Sequence, residues 1–159
     1  FGDIDPLIIL TFDMSTESFR TFKMPDTCHY HDGKSYGLLV WNESLTLICY
    51  PNDSDINPTK NFMEIWIMKE YGISDSWSMI HKLRPLAIKS PLAVWKDHLF
   101  FFQSITEQLI SYDLNSDNVK EFNIDSWPNT LRVIVYKESL NLILKGSGNI
   151  HQFKNFRED

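Results

Sequence analysis

The densest group of residues with metal-binding potential is Cys28, His29, His31 and Asp32, which stand within five positions of one another. Thiolate, imidazole and carboxylate groups are zinc ligands, and a structural zinc site usually takes four ligands from two well-spaced pairs. The sequence supplies no second pair of His or Cys. We therefore interpret this segment as a polar connector with ordinary loop histidines, and we assign no metal.

Residues for covalent catalysis are also missing from the sequence. A serine hydrolase of the common type places its nucleophile in a Gly-x-Ser-x-Gly turn, and a cysteine enzyme pairs its thiol with a histidine. Neither arrangement is recognisable, since His81, His98 and His151 stand alone in apolar or strand-like surroundings. The glycines at 146 and 148 make too short a segment for a phosphate loop. We assign no catalytic residue and no cofactor.

Acidic residues recur at matching places of an eleven-residue pattern. Residues 12–22 and 112–122 both run from an aromatic residue and Asp, through a small polar turn, to a closing Phe, and they are offset by 100 positions throughout. The acidic residues concerned are Asp13, Asp113, Glu17 and Asp117. An aspartate at this place caps backbone amides of a turn. Because a catalytic group is rarely needed once per repeat, the repetition favours turn chemistry.

A second pattern alternates with the first and consists of an apolar run, an aromatic, a polar turn, Leu and another apolar run. It occupies residues 38–48, 92–102 and 133–143, with Trp41, Trp95 and Tyr136 at equivalent places. Residues 64–80 repeat the first pattern with a turn about four residues longer. Each copy predicts a β-hairpin, and the near-continuously apolar arms of the second pattern predict strands buried on both faces.

Together the two patterns predict an all-β fold, a partial β-propeller. One hairpin of each kind makes a four-stranded antiparallel sheet, and the equivalent aromatics recur after 54 and 41 residues, near the spacing of propeller blades. Residues 1–148 would form two to three such blades, followed by a tail at 149–159. A propeller usually needs about four blades to close. We therefore expect the chain to be part of a longer protein.

The aromatic residues of the repeats have two possible uses. They are 14% of the chain, and rings at equivalent strand positions favour packing between sheets over a ligand-stacking platform. The residues assigned to packing are Trp41, Trp66, Trp95 and Tyr112. Phe100, Phe101 and Phe102 are predicted to form a buried strand.

Composition narrows the class of partner. Lys and Arg number 15 against 21 Asp and Glu, a net charge of -6 with no basic block, so nucleic-acid binding lacks its electrostatic basis. No apolar run is long enough to cross a membrane. Two cysteines can pair at most once, which favours a reducing compartment. An acidic surface suits a basic protein partner.

The residues also resemble a known family. Residues 63–72, followed by Ser76 and Trp77, are similar to the F-box-associated domain found downstream of the F-box in many plant proteins. The sequence resembles the S-locus F-box proteins of the nightshade family and relatives at residues 12–19, 45–50, 109–116 and 135–140. The resemblance runs from about residue 7 to 147.

This resemblance implies a non-catalytic substrate receptor of a Skp, cullin and F-box ubiquitin ligase, located in the cytoplasm of the pollen tube. Its substrate would be S-RNase, or another basic protein, marked for degradation in self-incompatibility. Nothing in the sequence resembles the F-box itself, so the Skp-type adaptor and cullin would bind through an F-box absent from this chain.

Acidic and polar residues of the connectors are the candidate partner-binding residues. They are Asp26, His29, Asp32, Asp53, Asp55 and Asp75. Two alternatives stay open: an F-box-like protein or scaffold that binds another partner outside self-incompatibility, and a propeller enzyme. We also expect the isolated segment to be poorly soluble, because open blade edges expose unpaired strands.

Overall fold

A computed structural model of the protein describes residues 7–28, 33–52, 62–84, 86–124 and 131–135. Within these residues the fold is all-β, as predicted, with ten strands and a single-turn 3-10 helix at Ser74–Ser76. The strands are β1 (Ile8–Asp13), β2 (Ser18–Lys23), β3 (Lys34–Trp41), β4 (Ser44–Pro51), β5 (Met63–Met68), β6 (Trp77–Leu83), β7 (Ile88–Trp95), β8 (Leu99–Ser104), β9 (Leu109–Asp113) and β10 (Asn118–Phe122).

The strands form three antiparallel sheets in sequence order. Strands β3 to β6 make one four-stranded meander, β7 to β10 make another, and β1 and β2 form a two-stranded sheet. Each four-stranded sheet combines one hairpin of each repeat pattern, which confirms the predicted partial propeller. Of the hairpin predicted at 133–143, only 133–135 lie within the described residues, and these three form no strand. The predicted tail at 149–159 lies outside the described residues.

The hairpin turns differ between the two patterns. The β3–β4 turn has two residues, Asn42 and Glu43, with φ of 48° and 61°. Positive φ at both central positions defines a type I′ turn, whose twist matches that of the strands it joins. In the β1–β2 and β9–β10 hairpins the turns have four residues, and both end at a residue of positive φ, Glu17 and Asp117 respectively.

The main core lies between the two four-stranded sheets. Its buried members are Ile48, Tyr50, Met63, Ile65, Ile88, Phe100, Phe102, Ile110 and Tyr112. Trp41 packs edge-on against Phe100 at 5.1 Å between ring centroids. Trp41 and Tyr112 therefore pack between the sheets as predicted, and Phe100 and Phe102 are fully buried in β8.

Strand β4 is buried on both faces, because alternate side chains of a strand point to opposite sides. Ile48 and Tyr50 face the main core, whereas Leu47 and Cys49 belong to a second cluster together with Cys28. Met24, Tyr36, Trp66 and Trp77 pack around that cluster. The first strands of the sheets are less buried than predicted, since Val40 in β3 is 72% exposed.

The assignment of Trp95 to packing between sheets is wrong. Its side chain is 45% exposed, and the ammonium group of Lys96 lies over its ring at 4.2 Å. Trp95 ends β7, a strand that pairs only with β8 among the described residues, so no neighbouring strand covers it on the other side.

None of the described helical segments is long and apolar enough to cross a membrane.

The two four-stranded sheets approach most closely where β3 meets β7. A Cβ atom built on Gly37 would lie 2.1 Å from Cγ of Pro91, a distance that no real side chain tolerates. Glycine at 37 therefore allows this approach. Proline at 91 is tolerated because β7 is the first strand of its sheet, where a missing backbone donor breaks no central ladder.

Candidate protein-binding cleft

A cleft of about 390 Å³ opens between the end of β2 and the β5–β6 hairpin. Its walls come from two parts of the chain that are far apart in sequence: residues 23–27, at the end of β2 and in the connector after it, and the β5–β6 hairpin with its turn. The lining residues are Lys23, Met24, Pro25, Asp26, Thr27, Trp66, Ser74, Asp75 and Trp77.

The two sides of the cleft are joined through the backbone of Lys23. Its amide donates a hydrogen bond to Oγ of Ser74 at 3.0 Å, and its carbonyl accepts one from Nε1 of Trp77 at 3.0 Å. The backbone amide and the backbone carbonyl of Lys23 are thus each bonded to a side chain rather than to a neighbouring strand. These two bonds connect the end of β2 to the β5–β6 hairpin on the exposed side of the cleft.

The long β5–β6 turn is a folded structure that presents Ser74 and Asp75 to the cleft. The hydroxyl of Ser76 bonds to the backbone of Glu70 in both directions, accepting from its amide and donating to its carbonyl. Gly72 has a φ of 89°, a conformation suited to glycine. The ring of Tyr71 then packs edge-on against Phe22 of β2, with 5.3 Å between centroids.

The two tryptophans that line the cleft, Trp66 and Trp77, lie beside polar groups. Trp66 and Trp77 are each half-buried, so part of each indole faces the cleft. Nε1 of Trp66 contacts Oε2 of Glu64 at 3.4 Å, and that carboxylate also pairs with Lys34. Partly exposed indole faces beside carboxylates are a suitable surface for a cationic side chain.

Charge in the cleft is acidic on balance. Asp26 and Asp75 are exposed at its rim, against the single lysine at position 23. The structure thus brings together two of the predicted partner-binding residues, which are 49 positions apart in sequence. The other four, His29, Asp32, Asp53 and Asp55, lie outside the described residues.

Sequence reasoning misses part of this site. It assigns Trp66 only to packing and gives no role to Lys23, Ser74 or Trp77. One signal is present in the sequence: the β5–β6 turn is about four residues longer than the other copies of its pattern. An insertion at one copy of a repeat often carries function, and this one supplies Ser74 and Asp75.

A second cavity, of about 320 Å³, lies between β1 and β3 and differs in character. Its lining is mostly apolar and includes Ile9, Leu10, Leu38 and Leu47. Met24 borders both cavities. Among the described residues no three His, Cys, Asp or Glu side chains form a group able to hold a metal ion.

Four-stranded antiparallel meanders, packed face to face with their first strands in contact, define part of a β-propeller. The F-box associated beta propeller domain matches residues 2–143, and the chain belongs to this family. A curated relative, the F-box protein CPR1 of Arabidopsis thaliana, is 25% identical over 150 residues. The match covers 89% of this chain and 35% of that protein, so the chain spans about a third of its relative's length. No solved structure matches the chain.

Proposed function

We propose that this chain is the substrate-recognition portion of a Skp, cullin and F-box ubiquitin ligase, and that it binds its substrate without catalysing a reaction on it. The family and the F-box relative support the class of protein. The observation that carries the binding role is the cleft, where exposed Asp26 and Asp75 line the same space as the half-buried Trp66 and Trp77.

A basic protein is the kind of substrate that this cleft favours. Two exposed carboxylates and a net charge of -6 attract a cationic surface and speed its approach. The finer proposal is that the substrate is S-RNase, recognised in the cytoplasm of the pollen tube. It rests on the sequence resemblance to S-locus F-box proteins.

A non-catalytic role also agrees with the use of the repeated aspartates. Asp13 accepts hydrogen bonds from the amide and hydroxyl of Ser15, and Asp113 accepts from the amide of Asn115 and the hydroxyl of Ser116. Both carboxylates cap turns, as their repetition predicts, and neither lines the cleft.

The test is capture of a panel of S-RNases by the full-length parent protein at low and at high salt. We expect binding that depends on the S-RNase allele and that weakens at high salt, because exposed charges are screened. The double variant Asp26→Asn/Asp75→Asn should lower affinity roughly tenfold at low salt, and much less at high salt.

A matched control removes the same charge elsewhere. Asp97 and Glu121 are exposed on the other four-stranded sheet and do not line the cleft. The variant Asp97→Asn/Glu121→Gln should retain binding. Equal losses of affinity in both double variants would show that binding depends only on net charge. The cleft would then not be the binding site. Absence of allele-dependent binding at either salt concentration would overturn the S-RNase proposal and favour another substrate or a scaffold.

A further inference from the structure

The two cysteines of the chain lie in direct contact. Sγ of Cys28 and Sγ of Cys49 are 3.3 Å apart, and both are free thiols. Cys28 is 4% exposed and Cys49 is fully buried. A disulfide has an S–S length of about 2.05 Å, so a relative movement of roughly 1.3 Å would bring the two sulfurs to bonding distance.

The pair joins two elements that no backbone ladder connects. Cys28 lies in the connector after β2, and its amide closes a turn onto the carbonyl of Pro25 at 2.8 Å. Cys49 lies within β4, between its pairing partners Tyr36 of β3 and Glu64 of β5. Strand β4 is the second strand of a four-stranded sheet, whereas the connector leads into that sheet from the β1–β2 hairpin. A covalent bond here would fix the connector to the sheet.

We propose that Cys28 and Cys49 form a dithiol site that a peroxide oxidises to an intramolecular disulfide. The thiolate of Cys28 attacks one oxygen of hydrogen peroxide and forms a sulfenic acid, and the other oxygen leaves as water after taking up a proton. The thiol of Cys49 then attacks the sulfenic sulfur, a second water leaves, and the disulfide remains. Two thiols lose two electrons and two hydrogens, and one peroxide becomes two waters.

The surroundings of the two cysteines give them different roles in the oxidation. Contact with Cys49 and the positive charge of Lys34 lower the pKa of Cys28 below that of an ordinary thiol. The pKa of Cys49 is raised by its contact with Cys28 and by burial. Because the thiolate is the nucleophile, Cys28 reacts first and Cys49 resolves.

Oxidation would act on the cleft as well as on the cysteines. The connector that contains Cys28 supplies Met24 and Asp26 to the cleft, and Trp66 and Trp77, which also line it, pack against the cysteine cluster. The disulfide therefore ties one wall of the cleft to β4. This chemistry does not depend on which protein the cleft binds.

The experiment maps the thiols of the full chain after treatment with hydrogen peroxide. Remaining thiols are blocked under denaturing conditions, and trypsin then separates the cysteines, because Lys34 lies between them and the flanking sites are Lys23 and Lys60. We expect the peptides 24–34 and 35–60 to be recovered joined, two hydrogens lighter than their sum, and separate after reduction with dithiothreitol. The variant Cys28→Ser should give no joined peptide.

Stability gives a second readout. Closing the loop between positions 28 and 49 should raise the melting temperature of the oxidised full-length parent protein by roughly 5 °C, and dithiothreitol should reverse the rise. Recovery of the two peptides unjoined, each with its cysteine thiol blocked, would overturn the proposal. Sulfinic acid at Cys28 without a joined peptide would also overturn it. So would joined peptides found only between molecules. The mapping uses the natural sequence, so it tests the proposal even where Cys28→Ser does not fold.

Discussion

The two repeated aspartates show how one residue type reaches the same role by slightly different contacts. Asp13 and Asp113 both end a strand and cap a four-residue turn. Hydrogen bonds to its carboxylate lower the pKa of Asp13 to about 2, and the hydroxyl of Ser15 makes the largest contribution, ahead of the amides of Ser15 and Thr16. For Asp113 the backbone amide of Asn115 makes the largest contribution to its lowered pKa.

This difference predicts unequal responses to serine removal. Ser15→Ala should move the pKa of Asp13 clearly upward toward 3.8, because the substitution deletes its strongest hydrogen bond. Ser116→Ala should move the pKa of Asp113 less, since the amide of Asn115 remains. Carboxyl carbon chemical shifts followed through an acid titration would measure both. A larger shift at Asp113 than at Asp13 would contradict this account.

The sign of the pH dependence follows from the same contacts. A carboxyl whose pKa is lower in the folded state stabilises the fold above its unfolded pKa and loses that contribution as pH falls through the folded value. For Asp13 the window therefore runs from about pH 4 down to about pH 2. The stability of the β1–β2 hairpin should decline across this window.

At the scale of strands and turns, the repeat patterns predicted most of the architecture. Aromatic and apolar spacing indicated the hairpins, their order and their grouping into four-stranded sheets, because those features depend on local alternation and turn residues. The solvent exposure of individual side chains could not be predicted from the same patterns. Val40 and Trp95 are apolar or aromatic as a buried strand requires, yet each lies on a strand with a neighbour on one side within the described chain.

The close approach of β3 and β7 gives a prediction about strand packing. Gly37→Ala should destabilise the fold by about 1 to 3 kcal/mol, because the new Cβ would overlap the ring of Pro91. Chemical denaturation measures the change. In the double variant Gly37→Ala/Pro91→Ala the overlapping ring atoms are gone, so much of the lost stability should return. Additive losses in the two single variants would show that these residues do not interact.

At the scale of the whole molecule, the two-stranded sheet leaves an apolar surface open. Ile8, Leu10 and Phe12 alternate along one face of β1 and are 50% or more exposed, and Phe19 of β2 packs against Phe12 at 4.9 Å. Strand β1 also has only β2 as a neighbour among the described residues. Exposed apolar faces and unpaired strand edges promote association.

We therefore expect the isolated chain to self-associate. Light scattering at rising protein concentration should show growing particles, and the variant Leu10→Lys/Phe19→Lys should reduce them, since charge opposes edge-to-edge pairing. A matched variant, Lys120→Leu, changes an exposed residue of β10 and tests whether that other outer strand also associates. A monomeric preparation of the natural sequence with one cooperative thermal transition would contradict the expectation.

The site was harder to predict than the fold because it is assembled from separate repeats. Composition and turn chemistry selected Asp26 and Asp75 as exposed acidic residues. Nothing local to either position says that they share a cleft, since their proximity depends on how β2 meets the β5–β6 turn. Likewise, spacing alone cannot show that two cysteines 21 positions apart touch inside the molecule.

The two hydrogen bonds to the backbone of Lys23 have a consequence for how the sequence around the cleft can vary. Ser74 and Trp77 bind the main-chain amide and carbonyl of this residue, and every amino acid except proline offers both groups. The side chain at position 23 can therefore change sign, length or polarity while the walls of the cleft keep their spacing. A cleft built in this way can change its surface chemistry one substitution at a time while the fold stays the same.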